Sequence, residues 1–167
     1  MNEEIIEQIA QENGAGEEQV VEKHMVTWLF FSITGKKYAV RSNAVLEIIR
    51  DVSVYKLPFM PDYIEGVLNR RGDPFTVINP RCLLNVDDKK APDEPLFLIL
   101  KRTDDQLSIH ISDILFFAEL EEKELNLIPE NDEEGFFLGI LSYNCEEVPV
   151  LNPDAFELLI RKDLGSS

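Results

Sequence analysis

One stretch of this chain comes back later with the same plan. Gly66-Val67-Leu68-Asn69 followed by Thr76-Val77-Ile78-Asn79-Pro80 lies over Gly139-Ile140-Leu141-Ser142 followed by Pro149-Val150-Leu151-Asn152-Pro153, without a gap, at a constant offset of 73. A looser match sets Tyr38 to Val45 over Leu107 to Ile114 at an offset of 69. Shared strand patterning alone could produce the second match, but an Asn-Pro pair after a hairpin makes the first hard to attribute to chance. The chain therefore reads as two similar β-units, each a strand pair, a short helical turn, and a hairpin that ends at Asn-Pro. A unit of about 70 residues buries too little surface to stand alone, so the two must pack on one another. The groove between two like barrels is a natural docking place for a partner helix.

From Thr27 onward, short runs rich in β-branched and aromatic residues alternate with turn chemistry, which signals an all-β sandwich or barrel. Strands are expected at Thr27 to Ile33, Tyr38 to Val40, Val52 to Leu57, Gly66 to Arg70, Phe75 to Ile78, Leu96 to Arg102, Leu107 to Ile111, Ile114 to Leu120, Phe136 to Tyr143 and Val148 to Leu151. Thr34-Gly35-Lys36-Lys37 and Arg71-Gly72-Asp73-Pro74 supply hairpin turns. Ser42 reads as the cap of a helical turn that places Val45, Ile48 and Ile49 on one face. A C-terminal helix is expected from Asp154 to Lys162, with Phe156, Leu159 and Ile160 together. Residues 1–26 read as an acidic, poorly ordered tail, 27–85 as the first half, 86–95 as a proline-containing linker, and 96–167 as the second half.

Charge narrows the partner classes. The formal net charge is −16, which repels phosphate backbones and anionic lipid and so argues against nucleic acid and membrane surfaces. It is unevenly spread: residues 1–27 carry −6, residues 28–85 carry +3 and residues 86–167 carry −13. Two halves of unlike sign can face chemically different protein neighbours. No stretch reaches the length of a membrane span and the N-terminus lacks a signal-type apolar run, so a cytoplasmic setting is expected.

Catalytic and metal chemistry finds little support. Cys82 and Cys145 are isolated, have no metal-type spacing and read as free buried thiols. His24 lies in the tail, and His110 lies in a strand whose alternation points it most simply to solvent. Acidic residues come in runs such as Glu119 to Glu124 and Asp132 to Glu134, without the spacing of a calcium loop. No phosphate-cradling or nucleophile motif occurs. What stands out is Val45-Leu46-Glu47-Ile48 and the Asn69-Arg70-Arg71-Gly72 corner. Two adjacent guanidinium groups are costly to bury unpaired, so they bind a carboxylate, either Glu47 within the fold or one on another protein.

The same residues resemble the CheW family. Its pattern of an aromatic strand, G-x-x-Y-A, V-x-E-I, P-x-x-P, G-V-x-N-L-R-G, P-V-x-D-L-R and L-G is met here by Phe31, Gly35 to Ala39, Val45 to Ile48, Pro58 to Pro61, Gly66 to Gly72, Thr76 to Arg81, and Leu84-Asn85. The resemblance implies two five-stranded, SH3-like β-barrels around a common core, and a function without catalysis, cofactor or metal. It further implies a cytoplasmic adaptor that joins the tip of a chemoreceptor to the regulatory domain of a CheA-type histidine kinase, within a higher-order array. By that analogy Val45, Glu47, Asn69, Arg71 and Gly72 are partner-contact positions. Ile48 and Arg70 join them as the expected edge of the groove that takes the receptor. Arg70 stands where the family has Leu, Thr76 where it has Pro, Asn79-Pro80 where it has Asp-Leu and Ile111-Ser112 where Val-Asp is usual. An added arginine beside an acidic second half points to a dedicated partner. The alternatives are a scaffold of the same fold for a non-chemotaxis kinase and, further off, a small β-barrel ligand binder or enzyme.

Overall fold

The computed structural model describes residues 23–86, 95–102, 105–128 and 135–165. These residues form β1 (Met25–Ile33), β2 (Lys36–Arg41), β3 (Val45–Arg50), β4 (Val54–Tyr55), β5 (Ile64–Arg70), β6 (Asp73–Ile78), β7 (Leu96–Leu100), β8 (Leu107–Ile111), β9 (Asp113–Glu121), β10 (Leu125–Leu127), β11 (Phe137–Tyr143) and β12 (Glu146–Leu151). A short helix α1 (Arg81–Leu84) follows β6, and α2 (Pro153–Asp163) follows β12. One sheet runs β3-β7-β8-β6-β5-β4 and forms barrel I. The other runs β9-β1-β2-β12-β11-β10 and forms barrel II.

The two orders correspond strand for strand, so the fold is β-rich with two matching subdomains. In each sheet the two edge strands are consecutive in the chain: β3 leads directly to β4, and β9 to β10 through a 3-10 turn at Glu122–Glu124. One bent segment thus serves both edges. Counted by segment, each barrel has the five members expected, and closure leaves little free edge to pair with other chains.

The sheets do not follow the chain halves. Hairpin β1–β2 pairs with β9 and β12 of the second half, and hairpin β7–β8 pairs with β3 and β6 of the first. The division into residues 27–85 and 96–167 therefore does not coincide with the sheets: each half lends its leading hairpin to the other. The β2–β12 and β6–β8 contacts are the parallel pairings, which local hairpins cannot produce.

The repeat is visible at residue level. Ladder shifts occur at Ile64/Gly66 and again at Phe137/Gly139. Asn79 N donates to Tyr63 O at 2.7 Å, and Asn152 N to Phe136 O at 2.7 Å. The side-chain oxygens of both asparagines accept from the backbone two residues on, Arg81 N at 3.1 Å and Asp154 N at 3.3 Å. This Asx geometry starts both helices and explains the recurrent Asn-Pro. Barrel II encloses Trp28, Phe30, Leu141, Val148 and Val150, and barrel I the corresponding Phe97, Ile99, Leu68, Phe75 and Val77. The largest apolar cluster lies between them, drawing Leu29, Phe31 and Ile33 from β1, Leu96, Leu98 and Leu100 from β7, and Phe156 from α2.

Several expectations change. Only Ser42–Ala44 is helical; Val45 onward is strand, because β7 offers an antiparallel partner from Val45↔Leu100 to Arg50↔Leu96. Val45 and Ile48 consequently pack on the shared core and Ile49 on the interior of barrel I, so the three do not share a face. The strand expected at Val52 to Leu57 shortens to Val54–Tyr55, and Asp73-Pro74 belong to β6 rather than to the turn. Met25 and Val26, assigned above to the tail, pair with Glu121 and Leu120. Both cysteines are exposed rather than buried: Cys82 points outward from α1, and Cys145 sits in the two-residue turn after Tyr143, which nothing covers. The rest of the tail (1–22), most of the linker (87–94) and the run 132–134 lie outside the described residues.

Glycine permits the bent segments to cross closely. A Cβ on Gly66 would lie 2.1 Å from Tyr55 O, and one on Gly139 would lie 2.3 Å from Asn126 O. Gly66→Ala and Gly139→Ala are each expected to lower the unfolding free energy by about 2–3 kcal/mol in urea titrations; a loss under about 1 kcal/mol would mean that β4 or β10 moves aside freely. The Tyr63 hydroxyl donates to Asp163 Oδ2 at 2.7 Å and ties α2 to the turn that leads into β5. Burial first, and then the Asp163 carboxylate, push the Tyr63 pKa well above its ordinary value. Its contribution to stability is therefore present below the unfolded tyrosine pKa of about 10 and falls away as the pH rises beyond it. Alkaline unfolding should begin later and less steeply in Tyr63→Phe than in wild type.

Candidate functional site

The β5–β6 hairpin reverses through Arg71-Gly72, both with positive φ, 51° and 91°. Such a two-residue turn matches the twist of the strands it joins. Asn69 Oδ1 accepts from Gly72 N at 2.7 Å and holds the reversal shut. Arg70 and Arg71 leave this rigid corner in different directions. Arg70 is largely covered, with its guanidinium 6.0 Å from the centre of the Phe75 ring and its Nε donating to Glu47 Oε2. Arg71 is mostly in solvent and reaches Glu47 Oε1 at 3.8 Å.

Glu47 stands on β3 beside a register shift between Val45 and Glu47. In the sheet, β3 is one edge and β5 lies next to the opposite edge, so the Glu47–Arg70 pair spans the seam at which barrel I closes. Barrel II places Phe116 and Tyr143 at the corresponding positions, their rings 5.3 Å apart and both packed on Phe30. One seam is thus closed by charge and the other by aromatic stacking. Next to the Glu47–Arg70 pair is an open cavity of about 650 Å³, whose apolar wall is Leu46, Val67, Pro74, Phe75 and Leu100. Arg70, Asp73, Arg102 and Asp105 supply its polar lining.

Of the residues singled out from sequence, Glu47, Asn69, Arg70, Arg71 and Gly72 come together at this corner. Val45 and Ile48 do not face the groove; they are turned to the core. The apolar group offered in their place is Leu46, half-exposed at the bulge. Strand alternation would have sent it outward, a signal that the helical reading of this segment hid. The carboxylate sought by the two arginines is Glu47 itself for Arg70, which leaves Arg71 as the more available cation.

The remaining polar groups form no catalytic array among the described residues. His110 is not on a solvent face: its Nδ1 lies 2.7 Å from Glu65 Oε1 and its ring is 4.8 Å from that of Phe97. Both faces of β8 are covered: Ile109 and Ile111 join the shared cluster, and His110 stands on the barrel I side with its ladder partner Phe97. Among the described residues no group of three or more His, Cys, Asp or Glu side chains is placed to hold a metal ion, and no helix is long and apolar enough to cross a membrane.

Comparison with known proteins agrees with this architecture. The family model described as "CheW-like domain" matches residues 27–159. The chain is 24% identical to the chemotaxis protein CheW of Helicobacter pylori over 91% of its own length and 92% of that protein's. It is 26% identical to the chemotaxis protein CheW of Bacillus subtilis over 74% of its length and 80% of that protein's. Among solved structures, the scaffolding protein TtCheW from Thermoanaerobacter tengcongensis superposes with a TM-score of 0.71 at 19% identity, covering 77% of this chain and 90% of that one.

The seam ion pair can be measured directly. Glu47→Gln leaves a largely covered guanidinium without its carboxylate and should cost about 1–2 kcal/mol. In a double-mutant cycle with Arg70→Leu, the coupling should be about 1 kcal/mol, reduced by the pair's partial solvent access. Additive losses would show that the two side chains act separately.

Proposed function

The chain belongs to the CheW-like domain family, and we propose that it couples a chemoreceptor to a CheA-type histidine kinase as a non-catalytic, cytoplasmic adaptor recruited to receptor arrays. The observation that carries this reading is the Asn69 to Gly72 corner. A fixed turn presents Arg71 near an open groove of mixed polar and apolar lining, and Glu47–Arg70 ties the strands on its two sides together. Such a surface suits an amphipathic helix: its apolar side lies along Leu46, Val67 and Phe75, and an acidic residue on its flank meets Arg71. In this reading Val45 and Ile48 position β3 from beneath, and Glu47, Asn69, Arg70, Arg71 and Gly72 form the contact or the geometry that supports it.

The adaptor does its work by holding. Two docking events on one rigid body raise the effective concentration of receptor and kinase for each other and fix their relative orientation. No chemical step is required of the coupler, so its residues need only bind and stay still. Charge is uneven along the chain, +3 over residues 28–85 and −13 over residues 86–167, and complementary charge on each partner favours one orientation over its reverse.

Reconstitution with a CheA-type kinase and a receptor signalling fragment tests this. Wild-type protein should confer receptor-dependent autophosphorylation, and Arg71→Ala, which removes an exposed side chain, should weaken it about tenfold while unfolding normally. A folded wild type that leaves kinase activity independent of the receptor would sink the reading.

A further inference from the structure

Among the described residues Arg81 is the one charged residue that is buried, with 6 % of its surface exposed. A guanidinium stays charged, and burying it without an anion is costly. The acceptor that Arg81 is given is neutral. Its Nε donates to Thr34 Oγ1 at 2.8 Å, and its Nη2 is closed off from solvent with no partner among the described residues. The backbone behind it is fixed, with Arg81 N donating to Asn79 Oδ1 at 3.1 Å and Val86 N to Arg81 O at 3.2 Å.

Two hydroxyls stand in the same cluster with hydrogens to give. Thr34 N donates to Ser112 Oγ at 2.8 Å, and Ser112 N donates to Ser32 O at 2.8 Å. Both hydroxyl oxygens therefore serve as acceptors, one for the Arg81 Nε–H and one for the Thr34 N–H. Each keeps an O–H with no acceptor among the described residues. Thr34 holds this arrangement in a left-handed backbone, φ 50°, which is strained for a β-branched residue and persists only where its surroundings impose it. Thr34 and Ser112 are half-buried, so the cluster opens to solvent on their side. A full positive charge and three unspent donor groups thus gather around Thr34 without an acceptor.

The repeated half shows what is missing. The offset of 73 sets Asp154 over Arg81, and there Asp154 pairs with Arg102 in the β7–β8 connection, as does Glu157 one turn further along α2. That contact between hairpin turn and helix is complete in charge. At Arg81 and Thr34 the cation is present and the carboxylate is not, and Ser112 stands where the family pattern has Asp.

We propose that Arg81, Thr34 and Ser112 form a binding site for a small inorganic anion with the size and charge of chloride. Nη2 and the two hydroxyls donate to it, and its charge offsets that of the guanidinium. A spherical, monovalent ion suits donors in a place this closed better than the oxygen shell of phosphate or sulfate. Thr34 turns the β1–β2 hairpin of barrel II, α1 follows β6 of barrel I, and Ser112 is the one residue between β8 and β9. The bound ion therefore ties the two barrels where the chain passes from one to the other.

Thermal unfolding of the full chain tests the proposal. Sodium chloride is exchanged for sodium gluconate at constant ionic strength, so that general screening of the −16 charge stays the same. Wild type should unfold about 3–6 °C higher in chloride, with a dependence on chloride that saturates. Ser112→Asp supplies a carboxylate from the chain itself and should unfold at the higher temperature in both salts. Arg81→Gln should lose the response to chloride. Wild-type crystals grown in bromide should show an anomalous peak within hydrogen-bonding distance of Arg81 Nη2 and the two hydroxyls, a result that needs no variant to fold. Equal wild-type midpoints in the two salts overturn the proposal, as does a chloride response that survives in Ser112→Asp or the absence of a bromide peak at this place. Protection by phosphate in preference to chloride would overturn it as well, by requiring a larger site.

Discussion

Everything in this molecule hangs on the exchange of leading hairpins between the two halves. Neither barrel closes with strands from its own half: β1–β2 completes barrel II and β7–β8 completes barrel I. The long-range pairings must therefore form together, and the shared cluster of Leu29, Phe31, Leu98, Leu100 and Phe156 is built only when both hairpins have crossed. Contacts of high sequence separation cost loop-closure entropy before they return stability. In exchange, the two barrels cannot drift apart without breaking hydrogen-bonded ladders. A surface on one is fixed relative to a surface on the other, which is what a two-partner scaffold requires.

Duplication supplied two equivalent seams, and they have diverged in chemistry while keeping their geometry. Glu47–Arg70 over Phe75 closes one, and Phe116–Tyr143 over Phe30 closes the other. The charged seam keeps its rim polar and leaves Arg71 available. The aromatic seam is half-buried and leaves Phe117 exposed nearby. The register shifts recur in both barrels, while the parallel pairing spans three residue pairs in barrel I and one in barrel II.

Much of the strand order was legible because alternation and turn chemistry are local. The Asn-Pro repeat, the Thr34-Gly35 and Arg71-Gly72 reversals, and α2 behind Pro153 follow from side chains acting within a few residues of themselves. The hairpin exchange was not legible, because self-similarity at a fixed offset is the same whether two units sit side by side or trade strands. Val45 to Ile49 is ambiguous for a related reason: its apolar spacing fits either the helical or the strand period, and only pairing with the distant β7 decides. That Glu47, Asn69, Arg70, Arg71 and Gly72 share one corner follows from charge and turn type together with the resemblance to the CheW family. The exposure of Leu46 depends on that same long-range pairing, and the exposure of Cys82 and Cys145 depends on their particular turns, which the burial frequency of a residue type does not contain.

The crossed hairpins also say something about ancestry. A single unit of about 70 residues on this plan cannot finish a barrel alone and can do so only by taking a hairpin from a twin. Such a unit would exist as a two-fold pair whose stability depends on its own concentration. Joining two copies in one chain makes the partner permanent and frees each copy to change independently. The asymmetry between a charged seam and an aromatic one is a liberty that no symmetric pair could take.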